Sequence, residues 1–179
     1  MIWNTIQNIF RIEELRQRIY FTLSILFVFR LGAHIPTPGI DGVALTAFFE
    51  AQQGSILRFF DMFTGGALAR LTVFALGVMP YISASIIMQL LTVVFPYLER
   101  LSKEGEAGRK KITIYTRYGT IVLSLVQAFG ISAGLESMAA PDGSPVVIST
   151  MNTWGFRGLT VITLTAGTAF LMWVGEQIN

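Results

Sequence analysis

The sequence predicts an all-α polytopic membrane protein, with four transmembrane helices and a broken, re-entrant segment ahead of the second. Three observations carry that expectation. Of 179 residues, 53% are hydrophobic and 13% charged, against about 25% charged in soluble domains, and mean hydropathy is +0.59. Apolar segments at 19–35, 71–98, 112–135 and 159–175 approach or exceed the ~20 residues that cross a ~30 Å hydrocarbon core. The basic residues alternate between the connections that join these segments.

That alternation orients the chain. Arg11, Arg16 and Arg18 precede the first segment, and Arg100, Lys103, Arg109, Lys110, Lys111 and Arg117 cluster between the second and third. Cytoplasmic connections are rich in Lys and Arg, and nine of the thirteen basic residues fall in these two places. Residues 1–18 and 99–111 are therefore expected inside, 36–70 and 136–158 outside, and 176–179 at the start of a further inner loop. The net charge of +2 gives no reason to expect direct contact with nucleic acid. With no cysteine, disulfides, thiolate zinc sites and cysteine nucleophiles are excluded.

The start of the chain mixes Trp3 and Phe10 with charge. It reads equally as an interfacial helix or a frayed end. It has no lysine-rich start and no small-residue cleavage site, so 19–35 is read as a retained span. Arg30 lies near the outer end of that span and can snorkel to the interface. His34 has no companions at metal-ligand spacing. The span stops at "IPTPGID", 35–41, where Pro36 and Pro38 remove donors and fix the backbone.

Residues 44–71 carry Phe48, Phe49, Phe59, Phe60, Met62 and Phe63, which is too apolar for an exposed loop. Glu50, Arg58, Asp61 and Arg70 interrupt them, so the stretch is no full span. Short helices tucked against protein or a water-filled cavity fit it, since broken backbone is tolerated at membrane depth only there.

The second span contains "GVMPYISASIIMQLL", 77–91. Pro80 is expected to kink it. Val78, Ile82, Ser85 and Gln89 recur at helical spacing and share one face, aliphatic at one end and polar at the other. From the residues alone, two readings stay open. One is a contact between helices, which small and polar residues favour. The other is a wall that meets something other than lipid. "EGEAGRKK", 104–111, lacks the Gly-Lys-Ser/Thr of a phosphate loop and reads as a solvated loop.

"GGALARLTVFALGVMPYISASIIMQLL", 65–91, closely resembles the second transmembrane segment of the SecY family, the core subunits of the Sec protein-conducting channel. Pro80 to Ile87 with Gln89 to Leu91 is the most specific run. "FRLGAHIPTPGID", 29–41, resembles the family's first-span exit. "EGEAGRKKITIYTRYGT", 104–120, looks like its second cytoplasmic loop leading into the third span, and "FLMWVGEQI", 170–178, like the end of its fourth. Members of this family carry ten spans in two halves. A chain that stops after four is expected to be an N-terminal fragment or one part of a split protein.

The resemblance implies roles. Val78 and Ile82 would belong to an aliphatic pore ring, which gates by dewetting. Residues 55–71 would form a plug, with Phe59, Phe60, Met62, Phe63, Leu68 and Arg70 in its body and Gly65 and Gly66 as its hinge. Ser83, Ser85 and Gln89 would hold a lateral gate, each contact worth about 0.6–2 kcal/mol. Arg109, Lys110 and Lys111 would meet a cytoplasmic partner, a SecA-type motor ATPase or the ribosome. The other implied partners are the remaining half of the channel, small SecE- and SecG-type subunits, signal peptides, nascent chains and the lipid bilayer. The expected location is the bacterial inner membrane, with the N-terminus cytoplasmic.

Two rival functions fit less well. A solute transporter needs convergent charge or helix ends at the midplane, where this chain offers aliphatic residues. An intramembrane enzyme needs paired carboxylates or a nucleophile with its base, and no Asp or Glu lies inside an expected span. No catalysis, cofactor or metal is expected.

Overall fold

A computed structural model describes residues 13–51, 59, 61–62, 65–139, 141–148 and 152–178. Among these, six helices form and no strand does: α1 (Glu13–Gly32), α2 (Gly42–Ala51), α3 (Met79–Val94), α4 (Pro96–Lys103), α5 (Glu106–Glu136) and α6 (Thr153–Ile178). Of the interfacial helix or frayed end expected over the first fifteen or so residues, 1–12 lie outside the described residues, and from Glu13 onward the chain is already α1.

Two helices, α5 and α6, are long and apolar enough to cross a membrane, and α3–α4 is a third if that bent pair counts as one span. The expected first span falls on α1, which is not among them. Its twenty residues include Glu13, Glu14, Arg16, Arg18 and Arg30. Arg30 lies in the last turn, where a cation suits the negative end of the helix dipole. Just beyond it, the His34 Nδ1 donates to the Arg30 carbonyl at 2.8 Å.

The proline strap 35–41 leaves α1 and is hydrogen-bonded to two other segments. Thr37 N–H donates to Leu71 O at 2.9 Å, and Val73 N–H to Ile35 O at 3.1 Å. Asp41 N–H donates to Val146 O at 2.9 Å, and Ile148 N–H to Gly39 O at 3.1 Å. Asp41 then caps α2, its Oδ1 accepting from Val43 N–H at 2.9 Å and Ala44 N–H at 3.2 Å. Within the 139–147 turn, the Ser144 hydroxyl and then its N–H hold the Asp142 carboxyl below its ordinary pKa.

The greatest departure from the sequence reading is at 71–78. The expected helix over 71–98, kinked at Pro80, is instead irregular backbone up to Val78. Pro80 stands in the first turn of α3. A proline there loses no intrahelical bond, so it starts the helix and does not kink it. Gly65, Gly66 and Gly77 take left-handed φ values of 66°, 83° and 56°, and Leu71 does so at 39°. The bend comes at Phe95–Pro96, where α4 leaves α3 at 100°. Pro96 has no N–H to continue the ladder and holds Phe95 extended, at φ −97° and ψ 116°.

The irregular segment is buried in protein, which is what makes non-helical backbone tolerable there. The Phe74 ring stacks on Phe29 of α1, with centroids 5.5 Å apart, and on Phe170 of α6 at 5.9 Å. A methyl group at Gly32 would overlap the Phe74 ring, and one at Gly167 would overlap the Val73 carbonyl. These two glycines let α1 and α6 close on the segment.

α5 packs along both α3 and α6. Its buried residues Gly108, Thr116, Thr120, Ser124, Ala128 and Ser132 recur every four to eight positions, a small-residue stripe that allows close approach. Its hydroxyls bond back to its own carbonyls, as Thr120 Oγ1 does to Thr116 O at 2.8 Å. Leu45, Leu71, Ala128, Val146, Phe156 and Leu164 meet in the hydrophobic core.

Candidate functional site

Val78 is the N-cap of α3 and Ile82 lies in its opening turn. Ile82 N–H donates to Val78 O at 3.0 Å, so the side chains stand one turn apart. Both are large and aliphatic, yet 49% and 45% exposed. They line a cavity of about 340 Å³ whose opposite wall is the end of α6, with Leu171, Met172, Gly175 and Glu176. α3 buries only Pro80 and Ala84; Ala84 Cβ would lie 3.7 Å from a methyl at Gly119 of α5.

Farther along α3, Ser85 and Gln89 line a polar groove of about 570 Å³ with Thr92 of α3 and Arg109, Thr113 and Thr116 of α5. Gln89 Nε2 lies 3.5 Å from Ser85 Oγ, a long contact, and Thr92 Oγ1 donates to Gln89 O at 2.6 Å. Tyr81 lines both cavities and separates the aliphatic one from the polar one. Ser83 borders neither, so the structure does not gather the three expected gate residues into one cluster. Two steps along a helix turn a side chain through about 200°.

Arg109, Lys110 and Lys111 are exposed, but they do not lie in the expected loop. α5 begins at Glu106 and carries all three in its first two turns. Helical φ and ψ extend past the apolar stretch because nothing between Glu106 and Ile112 breaks them.

Of the expected plug residues, Phe59 and Met62 are exposed, and Phe60 and Phe63 lie outside the described residues. Gly65 and Gly66 adopt the left-handed conformation that a hinge glycine supplies. Asp61 closes the turn, its Oδ1 accepting from Ala69 N–H at 2.8 Å and its carbonyl from Gly66 N–H at 3.0 Å. Leu68 borders an apolar groove of about 410 Å³ with Leu45, Phe49 and Ile131. Arg70 borders a smaller one of about 230 Å³ with Glu50 and Asp61.

The sequence reading missed two ion pairs that join α5 to α6. Arg157 Nε and Nη2 donate to the two oxygens of Glu136 at 3.0 and 2.6 Å. Arg117 Nε donates to Glu176 Oε1 at 2.6 Å. The equal spacing of opposite charges around two uncharged stretches was the available signal. The reading also passed over Gly130-Ile131-Ser132-Ala133-Gly134, which has the Gly-x-Ser-x-Gly spacing of a nucleophile elbow. Ser132 is fully buried mid-helix and donates to Phe129 O at 2.8 Å. A nucleophile elbow requires an exposed serine on a strand-to-helix turn, so the match is one of letters only. Among the described residues, no group of three or more His, Asp or Glu could hold a metal ion.

Comparison with known proteins adds a lineage to this geometry. The family model described as SecY matches residues 72–179. The chain is 53% identical over 168 residues to the protein translocase subunit SecY of Pseudomonas aeruginosa, covering 94% of this chain and 36% of that protein. It is 53% identical over 166 residues to that of Escherichia coli K12, covering 93% and 37%. The Aquifex aeolicus counterpart is 50% identical over 175 residues, covering 97% and 40%. The chain thus spans well under half the length of these relatives and matches their N-terminal portion.

Proposed function

Because the chain belongs to the SecY family, we propose that it forms part of the wall of a protein-conducting channel, with Val78 and Ile82 in its constriction. The observation that supports this most is the exposure of two adjacent aliphatic side chains over an open cavity, at the point where buried irregular backbone gives way to helix. An aliphatic collar at a narrow point sheds water and so blocks ions, and it offers no hydrogen bond to a passing polypeptide.

In this reading α1, α3, α5 and α6 are four spans of a multi-pass inner-membrane protein whose N-terminus is cytoplasmic. Residues 55–71 are a plug that fills the outer side of the constriction at rest and swings on Gly65 and Gly66. Ser85 and Gln89 weakly hold α3 to its neighbours at a lateral gate, through which signal peptides and nascent membrane helices pass to lipid. The role of Ser83 there is secondary, since it borders neither cavity. Arg109, Lys110 and Lys111 present charge to a motor ATPase or ribosome. The rest of the wall, and any small accessory subunits, come from outside these residues. The chain performs no catalysis of its own.

The collar is tested by conductance. Ile82→Asn in the complete channel, reconstituted in a planar bilayer, is expected to leak ions at rest, more so with residues 59–70 deleted. Ile82→Leu should stay tight because it keeps volume and dryness. An Ile82→Asn channel as tight as the unaltered one, with the plug deleted, would overturn the assignment.

A further inference from the structure

The two ion pairs of the α5–α6 hairpin share a geometry that channel function does not require. Arg117 and Glu136 are nineteen positions apart on α5, and Arg157 and Glu176 are nineteen apart on α6. The helices run antiparallel, so one pair closes each end. At ~1.5 Å of rise per residue, both separations come to about 28 Å, close to the ~30 Å hydrocarbon thickness of a bilayer. Neither 118–135 nor 158–175 contains Asp, Glu, Lys or Arg.

A second observation points to lipid. Trp154 and Trp173 of α6 are exposed and also nineteen positions apart, each three residues before a paired charge. Tryptophan collects at membrane–water interfaces, where its ring sits in apolar surroundings and its N–H stays wet. On α5, exposed Tyr118 stands beside Arg117. Val122, Val126 and Phe129 continue its face, and exposed Ile162 lies on α6 between the tryptophans.

We propose that this face of the hairpin is in direct contact with lipid acyl chains and that the two ion pairs set its depth, one at each boundary of the hydrocarbon. The inference rests on α5 and α6 being spans. An unpaired charge at the boundary is drawn toward water; a paired one presents no net charge and leaves the helix where its apolar length puts it. The Arg157 guanidinium is neutralised by both oxygens of Glu136 and lies 5.8 Å from the Phe129 ring centroid and 5.4 Å from that of Trp154. The bilayer midplane then falls halfway between the pairs, at Val126 on α5, which is 66% exposed.

Spin labels on single cysteines at Tyr118, Val122, Val126 and Ile162 test this in the complete channel, in phosphatidylcholine–phosphatidylglycerol bilayers. Collision with oxygen, relative to a water-soluble nickel chelate, is expected to peak on α5 at Val126 and fall toward Tyr118. Glu136→Gln leaves Arg157 unneutralised and should shift the maximum one turn inward, to Val122. Adding Arg157→Gln should return it to Val126. Nickel access at Val126, a label that neither reagent reaches because a second copy or another helix covers it, or a maximum unmoved by Glu136→Gln would overturn the proposal. Depth is read without translocation, so a failed conductance test leaves this result standing, and a lipid-facing Val126 does not rescue the collar.

Discussion

The ring of Phe74 lies parallel to that of Phe29, with an interplanar angle of 12° and centroids 5.5 Å apart. This stack, with Phe170 on the other side, joins α1 to α6 through an irregular segment, beside a small direct contact between the two helices.

Phe74→Ala should therefore be among the most damaging substitutions in the chain. Removing a buried phenylalanine costs about 3–5 kcal/mol. Thermal unfolding in detergent, followed by far-UV dichroism, is expected to move to clearly lower temperature. Phe129→Ala, on an exposed face of α5, should lose much less. Equal losses would show that the stack is dispensable.

Two glycines offer a contrast. Gly167→Ala drives a methyl into the Val73 carbonyl, whereas Gly130 has nothing within 4 Å of the equivalent position. Gly167→Ala should lower the yield of folded protein. Gly130→Ala should be neutral, or stabilise by up to about 1 kcal/mol through helix propensity. The comparison is read from size-exclusion profiles and melting curves of the two variants.

Orientation can be read by labelling. A cysteine at exposed Lys111 should react with an impermeant maleimide only in inverted vesicles, and one at exposed Ala139 only in intact cells. Gly108 is a poor choice on the inner side, since a side chain there meets the Leu101 carbonyl. The reverse labelling would invert the assignment of every loop.

Gate strength provides a further test. Gln89→Leu removes a polar side chain from the groove shared with Arg109 and Thr116. Export of a graded series of signal sequences should then show a shifted hydrophobicity threshold. An unchanged threshold would leave Gln89 a solvated groove residue.

Length and lack of charge made α5 and α6 legible, because an uncharged apolar run of span length has few other solutions. The same logic misled at 71–78. "LTVFALGV" is as apolar as a helix, and nothing local marks it as broken except a glycine that helices also carry. Its conformation is imposed by distant partners: the Ile35 carbonyl, the Thr37 amide and the ring of Phe29. Pro80 was visible, but whether a proline kinks a helix or begins one depends on what the preceding residues do. Val78 and Ile82 were singled out by spacing and resemblance, whereas the ion pairs needed the fold, since Arg117 and Glu176 are 59 positions apart.

The proline strap 35–41 has a mechanical consequence. It is stitched on one edge to Leu71 and Val73 and on the other to Val146 and Ile148, so the exit of α1, the approach to α3 and the loop before α6 are basted together at one end of the bundle. A pull on Met62 travels along the chain only as far as this seam. The two glycines at 65 and 66 precede it, followed by fully buried Ala67, and Val78 and Ile82 come after it. In the proposed channel, the seam would keep Val78 and Ile82 in place when the chain ahead of Gly65 is displaced.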